Sequence, residues 1–230
     1  MTRPSSVWER IGTTVSRARE RRGANLLVVN LRILIGFAFI PAGLKKVLGQ
    51  PFTDPQNVGV FHELLHAFHA TGPFYRFVGL AQLIAAVLLM TQRFATFGAA
   101  LLLPIIAAIT VLCWSTAGIP TITTATLMLL GIIGLLLWDL QKWRAIFSDD
   151  ECAASFELDP IAPVIDSQLW RWCGLGILAI YLVVCAVQGG IYRPRGLELD
   201  NPAFYLFPSI ILFPVVTWLI DRARYRRRND

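Results

Sequence analysis

The chain has 230 residues, 55% of them hydrophobic, 21 Lys and Arg against 15 Asp and Glu, a formal net charge of +6 and a mean hydropathy of +0.57. Hydrophobicity at that level excludes an ordinary soluble domain and a disordered chain. The positive charge sits at the two tails and at turns rather than in a surface patch, which argues against nucleic acid as a partner.

In chain order, residues 1–24 form a basic amphipathic segment. Val7, Ile11 and Val15 recur at helical spacing, Trp8 flanks them and arginines fill the other face, which predicts a surface helix over residues 5–22 that favours anionic lipid. Six apolar runs follow: Leu26–Leu48, Phe74–Met90, Phe94–Ser115, Ile119–Trp138, Leu169–Val187 and Phe204–Ile220. A hydrocarbon core of about 30 Å is crossed by about 20 apolar residues in a helix, and lipid admits no open sheet. The expectation is an all-α polytopic membrane protein with six transmembrane helices. The tight turns Thr91–Arg93 and Thr116–Pro120 force antiparallel neighbours. Residues 25–147 therefore read as a four-helix antiparallel bundle that includes an outer amphipathic, His-rich helix at residues 61–70. Residues 148–167 read as an acidic cytoplasmic linker, residues 168–221 as two further transmembrane helices, and residues 222–230 as a basic cytoplasmic tail. The linker carboxylates lack the spacing of a hard-cation site.

Arg3, Arg10, Arg17, Arg19, Arg21 and Arg22 precede the first run, and Arg222, Arg224, Arg226, Arg227 and Arg228 follow the last. Arg93, Lys142, Arg144 and Arg171 fall at turns on the same side, against Lys45, Lys46, Arg76, Arg193 and Arg195 on the other. The positive-inside rule then places both termini in the cytoplasm of a bacterial-type inner membrane, as an even number of spans requires. Trp138, Trp143, Trp170, Trp172 and Trp218 gather near the cytoplasmic ends, as an aromatic belt does. The first run is long and begins late, so it reads as a span and not as a cleavable signal peptide. Cys113, Cys152, Cys173 and Cys185 form no CxxC pair, and Cys173 and Cys185 lie about 18 Å apart along one helix, too far for a disulfide.

Within the spans, polar residues are few. Arg32 is expected to snorkel to the cytoplasmic headgroups. Pro41 kinks the first span near its outer end, followed by Gly43, Lys45 and Lys46. Gln82 near the middle of the second span wants a hydrogen-bond partner on a neighbouring helix or on a ligand. Thr121, Thr123, Thr124 and Thr126, with Gly131 and Gly134, favour close packing of the fourth span. Asp139, at a cytoplasmic helix end, is expected to be hydrated.

All three histidines lie in Phe61-His62-Glu63-Leu64-Leu65-His66-Ala67-Phe68-His69. The match to H-E-x-x-H is literal: two histidines one turn apart can bind zinc while a glutamate activates its water. A third ligand would have to come from Asp54, Glu198 or Asp200, because His62 and His69 are about 10 Å apart along the helix. Phe61, Leu64, Leu65 and Phe68 share the apolar face, so the histidine stripe meets headgroups or a loop folded over it. Interfacial histidines, a proton-transfer or quinone-headgroup site, and a zinc or other divalent-metal site all remain open readings for His62, Glu63, His66 and His69. No histidine lies inside a span, which excludes bis-histidine haem, and no Walker or G-x-G-x-x-G element points to a nucleotide.

Four segments carry a resemblance. They are Leu31-Arg32-Ile33-Leu34-Ile35-Gly36, Pro41-Ala42-Gly43-Leu44-Lys45-Lys46, the amphipathic segment ending at Gly72-Pro73, and Gly79-Leu80-Ala81-Gln82 leading into Leu88-Leu89. Through them residues 26–147 resemble the DoxX family, with Arg32, Gly36, Gly43 and Lys45 matching the family's first-span positions. The family's second span often carries an acidic residue where this chain has Gln82. The resemblance implies a four-helix membrane unit, and relatives include a small subunit of thiosulfate:quinone oxidoreductase. The expectation is a DoxX-like membrane subunit of a quinone-linked redox or respiratory-type complex, working with other membrane subunits rather than as a stand-alone enzyme. Gln82 and Arg32 are the candidate quinone or polar core contacts. The alternatives are a non-enzymatic scaffold or accessory subunit, and a zinc-dependent membrane hydrolase using His62-Glu63-x-x-His66.

Overall fold

The structure, a computed structural model, describes residues 7–140, 165–192 and 200–229. The regular elements among these residues are all helices: α1 (Val7–Arg19), α2 (Arg22–Val47), α3 (Val60–Ala70), α4 (Pro73–Met90), α5 (Ala95–Thr116), α6 (Ile119–Trp138), α7 (Ser167–Gln188), α8 (Pro202–Leu206) and α9 (Pro208–Asn229). Six crossings are long and apolar enough for a bilayer, the sixth running through α8 and α9 over Ala203–Arg227. The chain is an all-α polytopic membrane protein. The five linker carboxylates before Asp166 (Asp149, Asp150, Glu151, Glu157 and Asp159), together with Cys152, Lys142 and Arg144, fall outside the described residues, as do Arg193, Arg195 and Glu198.

The crossings agree with the apolar runs except at the end. The last helix does not stop near Ile220 but runs on through the basic residues to Asn229. Arginine is a good helix former, and cations near a helix C-terminus are favoured by its dipole.

Glycines set the spacing of the bundle. The α2–α4 interface is the most extensive in the molecule. A Cβ built on Gly36 would lie 2.7 Å from Met90 Cγ, and one on Gly43 would lie 2.8 Å from Leu83 Cγ. Gly79 faces back against Lys46, and Gly98 brings α5 onto α4, where a Cβ would lie 2.7 Å from the Ala85 carbonyl. Small residues allow this because lipid tails are as apolar as leucine, so close packing must hold the helices together. Hydrogen bonds add to it between α5 and α6. The Thr110 hydroxyl reaches the Ala125 carbonyl at 3.2 Å, and the Trp114 indole donates to Thr126 Oγ1 at 2.9 Å. Thr123 and Thr124 instead turn back onto the Ile119 and Pro120 carbonyls of their own helix, and Gly134 faces open space while Gly131 packs on Ile35.

The last two crossings dock on α2 and α4. Gly174 abuts the Met90 carbonyl, and Phe37 meets Tyr181 edge-on at 5.3 Å between ring centroids. At the end of the bundle that carries α1 and the end of α9, four charged groups fasten this pair. Arg22 Nη2 donates to Asp221 Oδ2 at 2.6 Å, and the backbone N–H of Asp166 donates to Asp221 Oδ1 at 2.8 Å. Asp166 in turn caps α7, accepting from the N–H groups of Gln168 and Leu169, and pairs with Arg224 at 2.7 Å.

Partial burial alone would raise the Asp166 carboxyl, but the Leu169 N–H, Arg224 and the Gln168 N–H outweigh it and hold it below the usual carboxylate range. A carboxyl depressed on folding stabilises the protein above its unfolded value, and that contribution is lost as pH falls through the folded value. Asp166→Ala is therefore expected to lower the melting temperature at neutral pH, by an amount equivalent to about 1 kcal/mol for the cap alone. The gap from the parent protein is expected to close as pH drops well below about 3.9. A gap constant with pH would show that the carboxylate charge is not what holds the helix start.

Candidate functional site

Arg32 lies ten residues beyond Arg22, about 15 Å along α2. Its partners nevertheless all sit at helix ends. Nη2 donates to Asp139 Oδ2, just past α6, at 2.8 Å, and Nη1 donates to Gln92 Oε1, in the α4–α5 turn, at 3.4 Å. Thr96, in the first turn of α5, donates to the same Asp139 oxygen at 2.8 Å. So α2 projects beyond its neighbours at the terminal end, and Arg32 is level with their termini. The guanidinium does not snorkel outward as expected. It turns inward, with the Arg32 residue 8% exposed, because a fixed carboxylate and amide offer charge-assisted hydrogen bonds there.

Asp139 likewise is not hydrated but 3% exposed. Arg19, at the end of α1, approaches its other oxygen at 3.9 Å and donates to the Trp138 carbonyl, while stacking over the Trp138 ring. The α1–α2 corner thus serves both halves of the molecule: Arg19 on the four-helix unit, Arg22 on the added pair. Gln92 is held with φ 60°, left-handed for a residue with a side chain, which aims its amide into the cluster. Buried donors at this end that lack a hydrogen-bond partner include Arg32 Nε, Gln92 Nε2, Trp170 Nε1 and Arg171 Nε.

At the far end, the segment Gly49–Thr53 folds over the histidine helix. His69 Nε2 donates to the Gly49 carbonyl at 3.0 Å, since a carbonyl only accepts. His62 Nδ1 lies 2.7 Å from Thr53 Oγ1. Tyr75 donates to the Gln50 carbonyl at 2.8 Å, Lys45 to the Pro51 carbonyl at 3.3 Å, and Lys46 Nζ sits 4.6 Å from the centre of the Phe52 ring. The histidine stripe is thus met by a loop. Glu63 is exposed, and the buried His66 Nε2 has no hydrogen-bond partner. His62, Glu63, His66 and His69 share one helix, yet no three His, Cys, Asp or Glu side chains gather as a metal-binding group among the described residues.

Deeper in, Gln82 of α4 is 1% exposed, and its Oε1 is buried without a hydrogen-bond partner. The antiparallel packing that sets Gly79 against Gly43 and Lys46 puts Gln82 one turn deeper, next to Leu83, which packs on Gly43. Gly36 and Gly43 share the α4-facing side of α2 with the Arg32 end of the helix.

Asp139, Gln92 and Thr96 were not singled out as partners of Arg32 by the sequence. A complementary charge at the end of another span was the available signal, because an arginine within a span calls for one. No protein-family model, curated protein or solved structure matches the chain.

Proposed function

We propose that this chain is a DoxX-like membrane subunit of a quinone-linked redox or respiratory-type complex, seated in a bacterial-type inner membrane with both termini cytoplasmic and associated with other membrane subunits. The observation that carries the reading is Gln82 Oε1, an acceptor in the α2–α4 seam with no donor. A buried acceptor left unmade costs about 1–3 kcal/mol, so such a group is an opening for a ligand hydroxyl. A bound quinol offers that hydroxyl and, with its quinone, a carrier of two electrons and two protons. Gln82 holds the headgroup, and the glycine-lined contact of α2 with α4 fixes where the amide points. The basic residues at both termini support the orientation.

Gentle purification followed by lipid extraction tests this. Quinone and partner subunits are expected to accompany the parent protein. Gln82→Leu, close in volume but without the amide, is expected to retain about three- to tenfold less quinone. A lone chain with neither quinone nor partners would overturn the reading.

A further inference from the structure

Gln82 lies near the middle of α4 and is 1% exposed, with Oε1 buried and no hydrogen-bond donor on it. The polarity of that gap selects between ligands. An amide oxygen accepts hydrogen bonds and never donates one. Of the two forms of a quinone-type carrier, only the quinol brings an O–H. The quinone brings a carbonyl, which is a second acceptor. Opposite Oε1 a quinone leaves the buried acceptor unmade, whereas a quinol satisfies it. The amide is also held in place by its surroundings. One turn away the two helices meet backbone to backbone: a Cβ on Gly43 would lie 3.0 Å from the Gly79 carbonyl oxygen, and one on Gly79 would lie 2.9 Å from that of Gly43.

Gln82 takes the hydrogen bond but not the proton. Oxidation of a quinol gives up two electrons and two protons, and the protons need a base to receive them. A carboxamide is not a base at neutral pH. The usual general bases are His, Asp and Glu, and α2, α4, α5, α6 and α7 carry none of them along their lengths. Asp139 belongs with Arg32 and Gln92 beyond Met90, which is about 12 Å along α4 from Gln82.

We propose that the Gln82 site selects the reduced carrier: it binds a quinol in preference to the quinone and leaves the quinol's protons in place. This rests on the quinone reading above and adds to it the redox form that the site holds. A site that favours the reduced form makes the bound couple more oxidising. A tenfold difference in affinity between the two forms raises the midpoint potential of a two-electron couple by about 30 mV.

Anaerobic binding of decylubiquinol and decylubiquinone to the full chain in mild detergent tests this. The parent protein is expected to bind the quinol about tenfold more tightly. Gln82→Leu and Gln82→Met, two apolar replacements of different shape, are each expected to bring the ratio within about twofold of one by weakening the quinol alone. The parent's ratio is expected to stay constant between about pH 6 and 8, because an amide does not titrate there. Equal affinity for the two forms in the parent, a preference for the quinone (the result if Nε2 faced the ligand), or equal weakening of both forms in both variants would overturn the proposal and leave the quinone reading in place. A ratio that changes with pH would show that a base takes the proton, and would overturn it too. Binding of neither form would remove the quinone reading itself.

Discussion

Asp139→Ala is expected to be among the most damaging single substitutions in the chain, lowering stability by about 3–5 kcal/mol and sharply reducing the amount of folded protein in the membrane. The carboxylate is the only acidic group seen to pair with Arg32 among the described residues, and it also receives the Thr96 hydroxyl. Removing it strands a guanidinium with its donors facing an interior that cannot solvate them. The pair itself need not be strongly stabilising, because desolvating two charges offsets much of their attraction. The double variant Arg32→Met with Asp139→Leu is therefore expected to recover most of the loss, since neither charge is then left alone. Thr96→Val, which deletes one neutral donor to a carboxylate with other partners, is expected to cost nearer about 1 kcal/mol. Melting temperatures in a fixed detergent of the parent, Arg32→Met, Asp139→Leu and the double variant give the four corners of the cycle. Strict additivity between the Arg32 and Asp139 substitutions would show that the two groups do not act as a pair.

The membrane fold was legible because lipid leaves the backbone so few options. Six long apolar runs allow only helices, and Ile119–Trp138 was found to the residue. The short turns gave the antiparallel order. Asp139 was misread because its position at a span end is compatible with two situations. Whether it meets water or an arginine depends on how far α2 projects past α6, a length that apolar periodicity does not encode. Arg32 was misread for the same reason: counted along its own helix it lies deep, yet its neighbours end beside it. The histidine helix, read as residues 61–70, forms over Val60–Ala70, but what covers it is set by Gly49, with φ 69°, which turns the chain back under Arg76. Gln82 was visible as a polar residue in a span. That its oxygen stays unpartnered could be seen only once α2 was packed against it.

Gly174→Ala is expected to loosen the last two crossings from the four-helix unit, at a cost of about 1–3 kcal/mol. At this position an added methyl points into the Met90 carbonyl, which belongs to backbone at the end of α4 and cannot rotate aside as a side chain would. Relief requires α7 to move as a body, and its neighbours oppose that. Tyr181 is fixed against Phe37 and donates to the Tyr192 carbonyl, and Asp166 is held at the other end by Asp221 and Arg224. Gly134→Ala is the matched control. It lies inside α6, where a methyl meets nothing within 4 Å. There the same substitution removes only the conformational freedom that glycine gives the unfolded chain, and is expected to stabilise by about 0.4–1 kcal/mol. The two variants add an identical group to helical glycines of one protein, so opposite signs in the melting temperature isolate packing from helix propensity. Equal shifts for both variants would mean that α7 does not rest on Met90.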